Sequence, residues 1–105
     1  MKLQAGSWRL EGLRLYLGDD NKPPIEFRPK EARLLAILMQ HPGQVVNRAT
    51  LMREVWQTDY LGDTRTLDVH ICLLRQKLEE NPTRPQLLLT ERGVGYRLNV
   101  PGNTR

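Results

Sequence analysis

The apolar positions of this chain change their period along its length. Between residues 7 and 27, Trp8, Leu10, Leu13, Leu15, Tyr16 and Leu17 alternate only in part with polar residues, the pattern of short strands with one buried face. Gly12 and the run Gly18-Asp19-Asp20-Asn21 supply turns, and Ile25–Phe27 reads as the last strand of this region. Pro29 marks a change. Proline suits the first helical position, and beyond it Leu34, Leu35 and Leu38 recur at helical spacing, thickened by Ala32, Ile37 and Met39. His41-Pro42-Gly43 ends that helix, and Val45-Val46 is a short extended link. Asn47 is a good N-cap for a second helix, Arg48–Trp56. A loop from Gln57 to Asp63 holds Gly62, a third helix runs over Arg65–Glu80, and Pro82 and Pro85 close it. Leu87–Arg92 and Tyr96–Val100 read as strands joined by the turn Gly93-Val94-Gly95. The order is strands, three helices, hairpin. Residues 1–6 read as an N-terminal tail or linker, 7–100 as one domain, and 101–105 as a loose polar tail.

The third helix is apolar on two sides. At 100° per residue, Leu67, Ile71, Leu74 and Leu78 form one stripe within about 60°. The opposite side carries Arg65, Val69, Cys72, Leu73 and Gln76. Water disfavours Val69, Cys72 and Leu73 there, so the face needs a partner. A major groove is one, because its floor offers thymine methyls. Arg65, Thr66, His70, Arg75 and Lys77 surround the patch with groups suited to phosphates. A covering helix or sheet is the other, and the wheel alone does not choose. The hairpin adds weight to the first reading: Arg92 stands before two glycines that allow a tight reversal, and an arginine at a hairpin tip can enter a minor groove.

Composition narrows the class. The 105 residues are 39% hydrophobic and 27% charged with a net charge of +4, and the pI is about 9.6. That describes one basic globular domain, drawn to polyanions. The single cysteine, Cys72, permits no internal disulfide and fits a reducing cytoplasm. No apolar run reaches membrane-spanning length. His70 and Cys72 point to different sides of their helix and cannot share a metal. Asp68 lies between the core and the exposed side, suited to an ion pair with Arg65 or Arg75. No constellation supports an enzyme, a cofactor or a metal site.

Several motifs in fixed order resemble one family. RTLDVHICLLRQKL (Arg65–Leu78) and TERGVGYRL (Thr90–Leu98) carry the match, with FRPKEARLL (Phe27–Leu35), PGQVVNRATL (Pro42–Leu51) and EVW (Glu54–Trp56) upstream. Over about residues 7–100 the chain resembles the winged-helix effector domain of OmpR/PhoB-type response regulators. The resemblance implies an α+β winged helix-turn-helix: an N-terminal four-stranded antiparallel sheet, three helices and a C-terminal β-hairpin wing. It implies sequence-specific binding of double-stranded DNA in transcription regulation, as the output domain of a two-component response regulator.

By the same resemblance, Arg65–Leu78 lies in the major groove. Trp56, Arg65, His70 and Arg75 match positions that hold the sugar–phosphate backbone. Cys72 and Leu73 match the variable base-facing pair. Thr90 matches a backbone contact at the start of the wing, and Arg92 the wing arginine of the minor groove. The implied partners are DNA, as direct repeats, and RNA polymerase through the loop 57–64. A receiver domain normally precedes this one and is absent from the sequence. The chain departs from the pattern at four places. Arg28 stands where threonine would cap the first helix. Ala32 replaces an aromatic, which changes packing against the sheet. Glu91 sets an acid beside Arg92. Cys72 and Leu73 replace polar or basic residues, which removes hydrogen-bonded base reading there. Two other readings share these residues: a winged helix that docks proteins through Val69–Leu73, and a DNA-binding domain of another regulator architecture.

Overall fold

Four short N-terminal segments pair as an antiparallel sheet in the order β1 (Lys2–Ala5), β2 (Trp8–Glu11), β3 (Arg14–Tyr16) and β4 (Ile25–Glu26). The structure is a computed structural model that describes residues 2–19, 21–58 and 64–102. Leu10 lies opposite Leu3 in β1 and Leu15 in β3, and Trp8, Leu10 and Leu15 are buried. The alternation therefore places one apolar face on the helices. The expected N-terminal boundary is corrected here. Lys2–Ala5 pairs with β2 over its whole length and buries Ala5, because Leu3 and Ala5 share the inward face and the ladder satisfies their backbone. The C-terminal boundary shifts too. Ser7 donates from its backbone N–H and its hydroxyl to the Pro101 carbonyl, at 2.8 and 2.9 Å, so the chain is still anchored at Pro101. Residues 103–105 lie outside the described residues.

Helix α1 (Pro29–Met39) begins as its proline directs. Arg28, in the capping position, gives no side-chain bond, as its chemistry requires: a guanidinium cannot accept. Glu31 supplies half of a capping box instead, its carboxylate accepting the Arg28 backbone N–H at 2.9 Å. Glu31 is buried, 2% exposed. Burial pushes its carboxyl up, but the Lys77 ammonium, 2.9 Å away, and the Arg28 N–H outweigh that and hold it below the usual carboxylate range. Helix α2 (Arg48–Trp56) is capped by Asn47, which accepts from the Thr50 N–H at 2.8 Å. Its last carbonyls receive cations from α1: Lys30 Nζ donates to Val55 O at 3.0 Å and Arg33 Nε to Glu54 O at 2.7 Å, favourable at a helix C-terminus.

Helix α3 (Arg65–Leu78) places Leu67, Ile71 and Leu74 in the core with no exposed surface. It ends two residues before the expected Glu80, because Glu79 has another task. Its buried carboxylate accepts from the N–H groups of Gln86 (2.8 Å), Leu87 (3.0 Å) and Leu88 (2.7 Å) and closes the loop into the wing. The C-terminal hairpin, β6 (Leu88–Glu91) and β7 (Gly95–Leu98), is joined by a third strand, β5 (Val45–Asn47), in the order β5-β7-β6. The segment read as an extended link is thus a strand. Gly95 permits it: a Cβ there would lie inside contact distance of the Val46 carbonyl and 2.7 Å from Asn47 Cα.

A second polar clasp joins α2, α3 and β7. Arg48 Nη1 donates to Asp68 Oδ1 at 2.8 Å, and Nη2 to Asp68 Oδ2 at 3.3 Å and to Thr64 Oγ1 at 2.5 Å. The Tyr96 hydroxyl donates to the same Asp68 oxygen at 2.7 Å. Arg48 foremost, opposed by partial burial and helped by Tyr96, holds the Asp68 carboxyl below its ordinary range. Burial and the neighbouring Asp68 push the Tyr96 hydroxyl up.

Two predictions follow from the clasps. Glu79→Ala leaves the N–H groups of Gln86, Leu87 and Leu88 without their acceptor, and is expected to lower unfolding free energy by about 3 kcal/mol; an unchanged urea midpoint would refute this account of the loop. Asp68 has a depressed folded value, so its contribution is complete above the unfolded carboxylate value near 4 and is lost as pH falls through the folded one. Wild type should exceed Asp68→Asn by about 1 kcal/mol at pH 7, and the gap should close below about pH 4. A gap independent of pH in acid titrations of unfolding would mean that charge plays no part.

Candidate nucleic-acid interface

Burial of Leu67, Ile71 and Leu74 fixes which side of α3 looks out. Arg65, Thr66 and Gln76 are exposed, Val69 is 55% exposed, Cys72 is an exposed free thiol and Leu73 is half-buried. No described element of the domain therefore covers Val69 or Cys72. The apolar face foreseen on the helical wheel is a surface of the folded protein.

The rim divides into two groups. Toward α2, the Trp56 ring meets His70 edge-on, with centroids 5.0 Å apart and planes at 81°. His70 Nδ1 lies 2.8 Å from the Thr66 carbonyl. A carbonyl only accepts, so Nδ1 carries the proton in this pairing and Nε2 is the uncommitted ring nitrogen. Toward the wing, Arg75 donates from Nε to the Leu88 carbonyl at 3.0 Å and from Nη2 to Thr90 Oγ1 at 2.7 Å, and its guanidinium lies 5.9 Å from the Tyr96 ring centre. The start of the wing is thereby bonded to α3.

The hairpin turns at Arg92-Gly93-Val94. Gly93 takes φ 77°, which a side chain would strain, and the Val94 N–H donates to the Glu91 carbonyl at 2.9 Å. Arg92 and Val94 are exposed, and so is Thr90. The Glu91 carboxylate, expected beside Arg92, pairs with Arg97 on β7 at 3.4 Å.

Asp68 and Lys77 have partners that the sequence did not indicate. Asp68 serves Arg48 and Tyr96, and Arg75, one of its two expected partners, turns to the wing instead. Lys77 is already engaged: its ammonium donates to Glu31 Oε1 and to the Glu26 carbonyl, both at 2.9 Å, and lies 5.1 Å from the Phe27 ring centre. A phosphate would have to compete with a buried carboxylate for it. Arg48, Tyr96, Glu31 and Glu79 were not legible as functional supports, because polar pairing across distant segments leaves no periodic trace. Within the loop 57–64, Gln57 takes a left-handed backbone (φ 57°) as it leaves α2, and residues 59–63 lie outside the described residues. No helix among the described residues is long and apolar enough to cross a membrane.

Comparison with known proteins fits this geometry. Residues 21–98 match the family described as "Transcriptional regulatory protein, C terminal". The alkaline phosphatase synthesis transcriptional regulatory protein SphR of Synechococcus elongatus is 47% identical over 96 residues, covering 86% of this chain and 37% of that protein. The sensory transduction protein RegX3 of Mycolicibacterium smegmatis is 46% identical over 96 residues, covering 91% and 42%. The chain thus spans about two fifths of the length of these relatives. Among solved structures, the Klebsiella pneumoniae RstA DNA-binding domain in complex with the RstA box superposes with a TM-score of 0.79 at 28% identity, covering 93% of this chain and 96% of that one. The Escherichia coli CpxR DNA-binding domain gives 0.75 at 28% identity, covering 95% and 98%. The chain belongs to the C-terminal domain family of transcriptional regulatory proteins, and its winged helix is of the OmpR/PhoB response-regulator type.

Proposed function

We propose that this domain binds double-stranded DNA sequence-specifically in transcription regulation, as the output domain of a two-component response regulator. The observation that carries the reading is an uncovered apolar face on α3, flanked by Arg65, Thr66 and His70, with an arginine-tipped wing bonded to the same helix. The solved domains of RstA and AdeR, both in complex with DNA, support it.

In this reading α3 enters the major groove. Val69, Cys72 and Leu73 face bases, and Gln76 is the residue able to read an adenine by hydrogen bonds. Trp56, Arg65, Thr66, His70 and Thr90 hold the sugar–phosphate backbone, and Arg92 enters the minor groove. Two domains bind direct repeats head to tail, one helical turn apart, at about 10–11 base pairs. The loop 57–64 meets RNA polymerase, a receiver domain belongs to the same regulator, and the site of action is the cytoplasm.

Two arginines facing the DNA, Arg65 and Arg92, give a log–log slope of affinity against salt of about −1.8 per domain. A titration with affinity unchanged between low and moderate salt would sink the DNA reading. Base reading has its own test. Val69 and Leu73 offer no hydrogen bonds, so they can read only thymine methyls, each worth about 0.8 kcal/mol. Replacing single thymines with uracil should weaken binding about fourfold at one or two positions, from that same energy. Leu73→Ala should then add nothing at those positions. Tolerance of uracil throughout the site would remove base reading from the apolar face.

A further inference from the structure

We propose that Arg75 is a positioning residue: it clamps the wing to α3 and sets the Thr90 hydroxyl toward the DNA. The inference rests on the DNA-binding reading above and assigns Arg75 a different part in it.

In the sheet order β5-β7-β6, β6 is an edge strand, paired with β7 on one side only. The Leu88 carbonyl accepts Arg75 Nε. Thr90 and Tyr96 form one cross-strand pair of the hairpin, and Arg75 engages both, bonding Thr90 Oγ1 and lying against the Tyr96 ring. Tyr96 is in turn bonded to Asp68 on the same helix. The clamp therefore grips both strands just before the turn that carries Arg92. Where Arg92 sits relative to α3 depends on it.

The chemistry at Thr90 points the same way. Oγ1 already accepts from a guanidinium, so its proton must go to a different acceptor. Thr90 is exposed, and a phosphate oxygen is the acceptor this interface would meet. Arg75 thus makes Thr90 an oriented donor and spends two of its own N–H groups inside the protein. Lysine cannot replace it, since one ammonium does not reproduce a planar fork with two separated acceptors.

The test compares wild type with Arg75→Lys, Arg75→Ala, Thr90→Val, Arg92→Ala and Arg75→Ala/Arg92→Ala. It uses fluorescence anisotropy on a thymine-rich direct-repeat duplex at several salt concentrations. A clamp predicts that Arg75→Lys, though it keeps the charge, loses specific affinity as fully as Arg75→Ala, about tenfold. Thr90→Val should match them. The salt slope of Arg75→Lys and Thr90→Val should stay within about half a unit of wild type, and the double variant should lose less than the product of its single losses. Wild-type affinity in Arg75→Lys or multiplying losses would each overturn the clamp. Amide exchange in free protein keeps this distinct from the DNA reading. The β6–β7 ladder should exchange faster in Arg75→Lys and Thr90→Val while α1 is unchanged, and equal exchange would also overturn it. If wild type bound no duplex, the functional proposal would fail and the exchange result would still decide the clamp.

Discussion

Three side chains set everything that α3 can do. Leu67, Ile71 and Leu74 are without exposed surface, and their burial is worth about 5–9 kcal/mol together. Turning the helix by one residue, 100°, would trade them for Asp68, Cys72 and Arg75 or for Thr66, His70 and Leu73, two polar residues of three either way. No local preference of Val69 or Cys72 for a dry environment approaches that cost. Their exposure is thus a consequence of the core, and the outer face is free to be chosen for what it touches. The same stripe holds α3 against α1, whose Leu34, Leu35 and Leu38 are equally buried.

The wing is held differently. Its own apolar share is small, with Leu88, Tyr96 and Leu98 buried, and three strands of three or four residues make a weak ladder alone. Gly95 brings β7 close to β5, and polar side chains do the rest. Glu79 closes its entry, Arg48 and Asp68 hold Tyr96, and Arg75 holds Leu88 and Thr90. Hydrogen bonds that involve a charged group are worth about 1.5–3 kcal/mol each, so such a set can fix an element that packing alone leaves mobile. The Asp68 gap with pH and the Glu79 loss in urea are measures of this arrangement.

This division explains what could be read in advance. The helices were legible because leucines repeat at the helical period and because Pro29, Asn47 and His41-Pro42-Gly43 mark their ends. The apolar outer face of α3 was legible for the same reason. β1 was not, since two inward residues, Leu3 and Ala5, make too short an alternation to separate from a tail. β5 was read as a link because its partner, β7, lies far along the chain, and strand pairing at that separation leaves no mark in a local window. The polar clasps were illegible for a related reason. Asp68 needs a cation, but Arg48 is a whole helix and a loop away, and the choice between it and Arg75 is made only once β6 offers Arg75 the Leu88 carbonyl and Thr90. Glu79 read as one more helical residue because its carboxylate serves backbone groups, which have no sequence signature.

The two kinds of holding meet in how such a domain could discriminate sequences. An apolar helix face reads methyls, at about 0.8 kcal/mol each, where a bidentate arginine or asparagine gives about 1–3 kcal/mol. A helix of this composition cannot concentrate specificity in one contact. It has to be added up from several shallow ones, with the wing supplying a share through the shape of the minor groove. Shallow contacts add only when they are made together. A wing that moved independently of α3 would lose part of each contact to the entropy of ordering it, about 0.5–1.5 kcal/mol per immobilised side chain, as much as a methyl contributes. On the proposed reading, the weaker the readout by Val69, Cys72 and Leu73, the more the domain depends on Arg75, Asp68 and Arg48 having ordered the wing before DNA arrives.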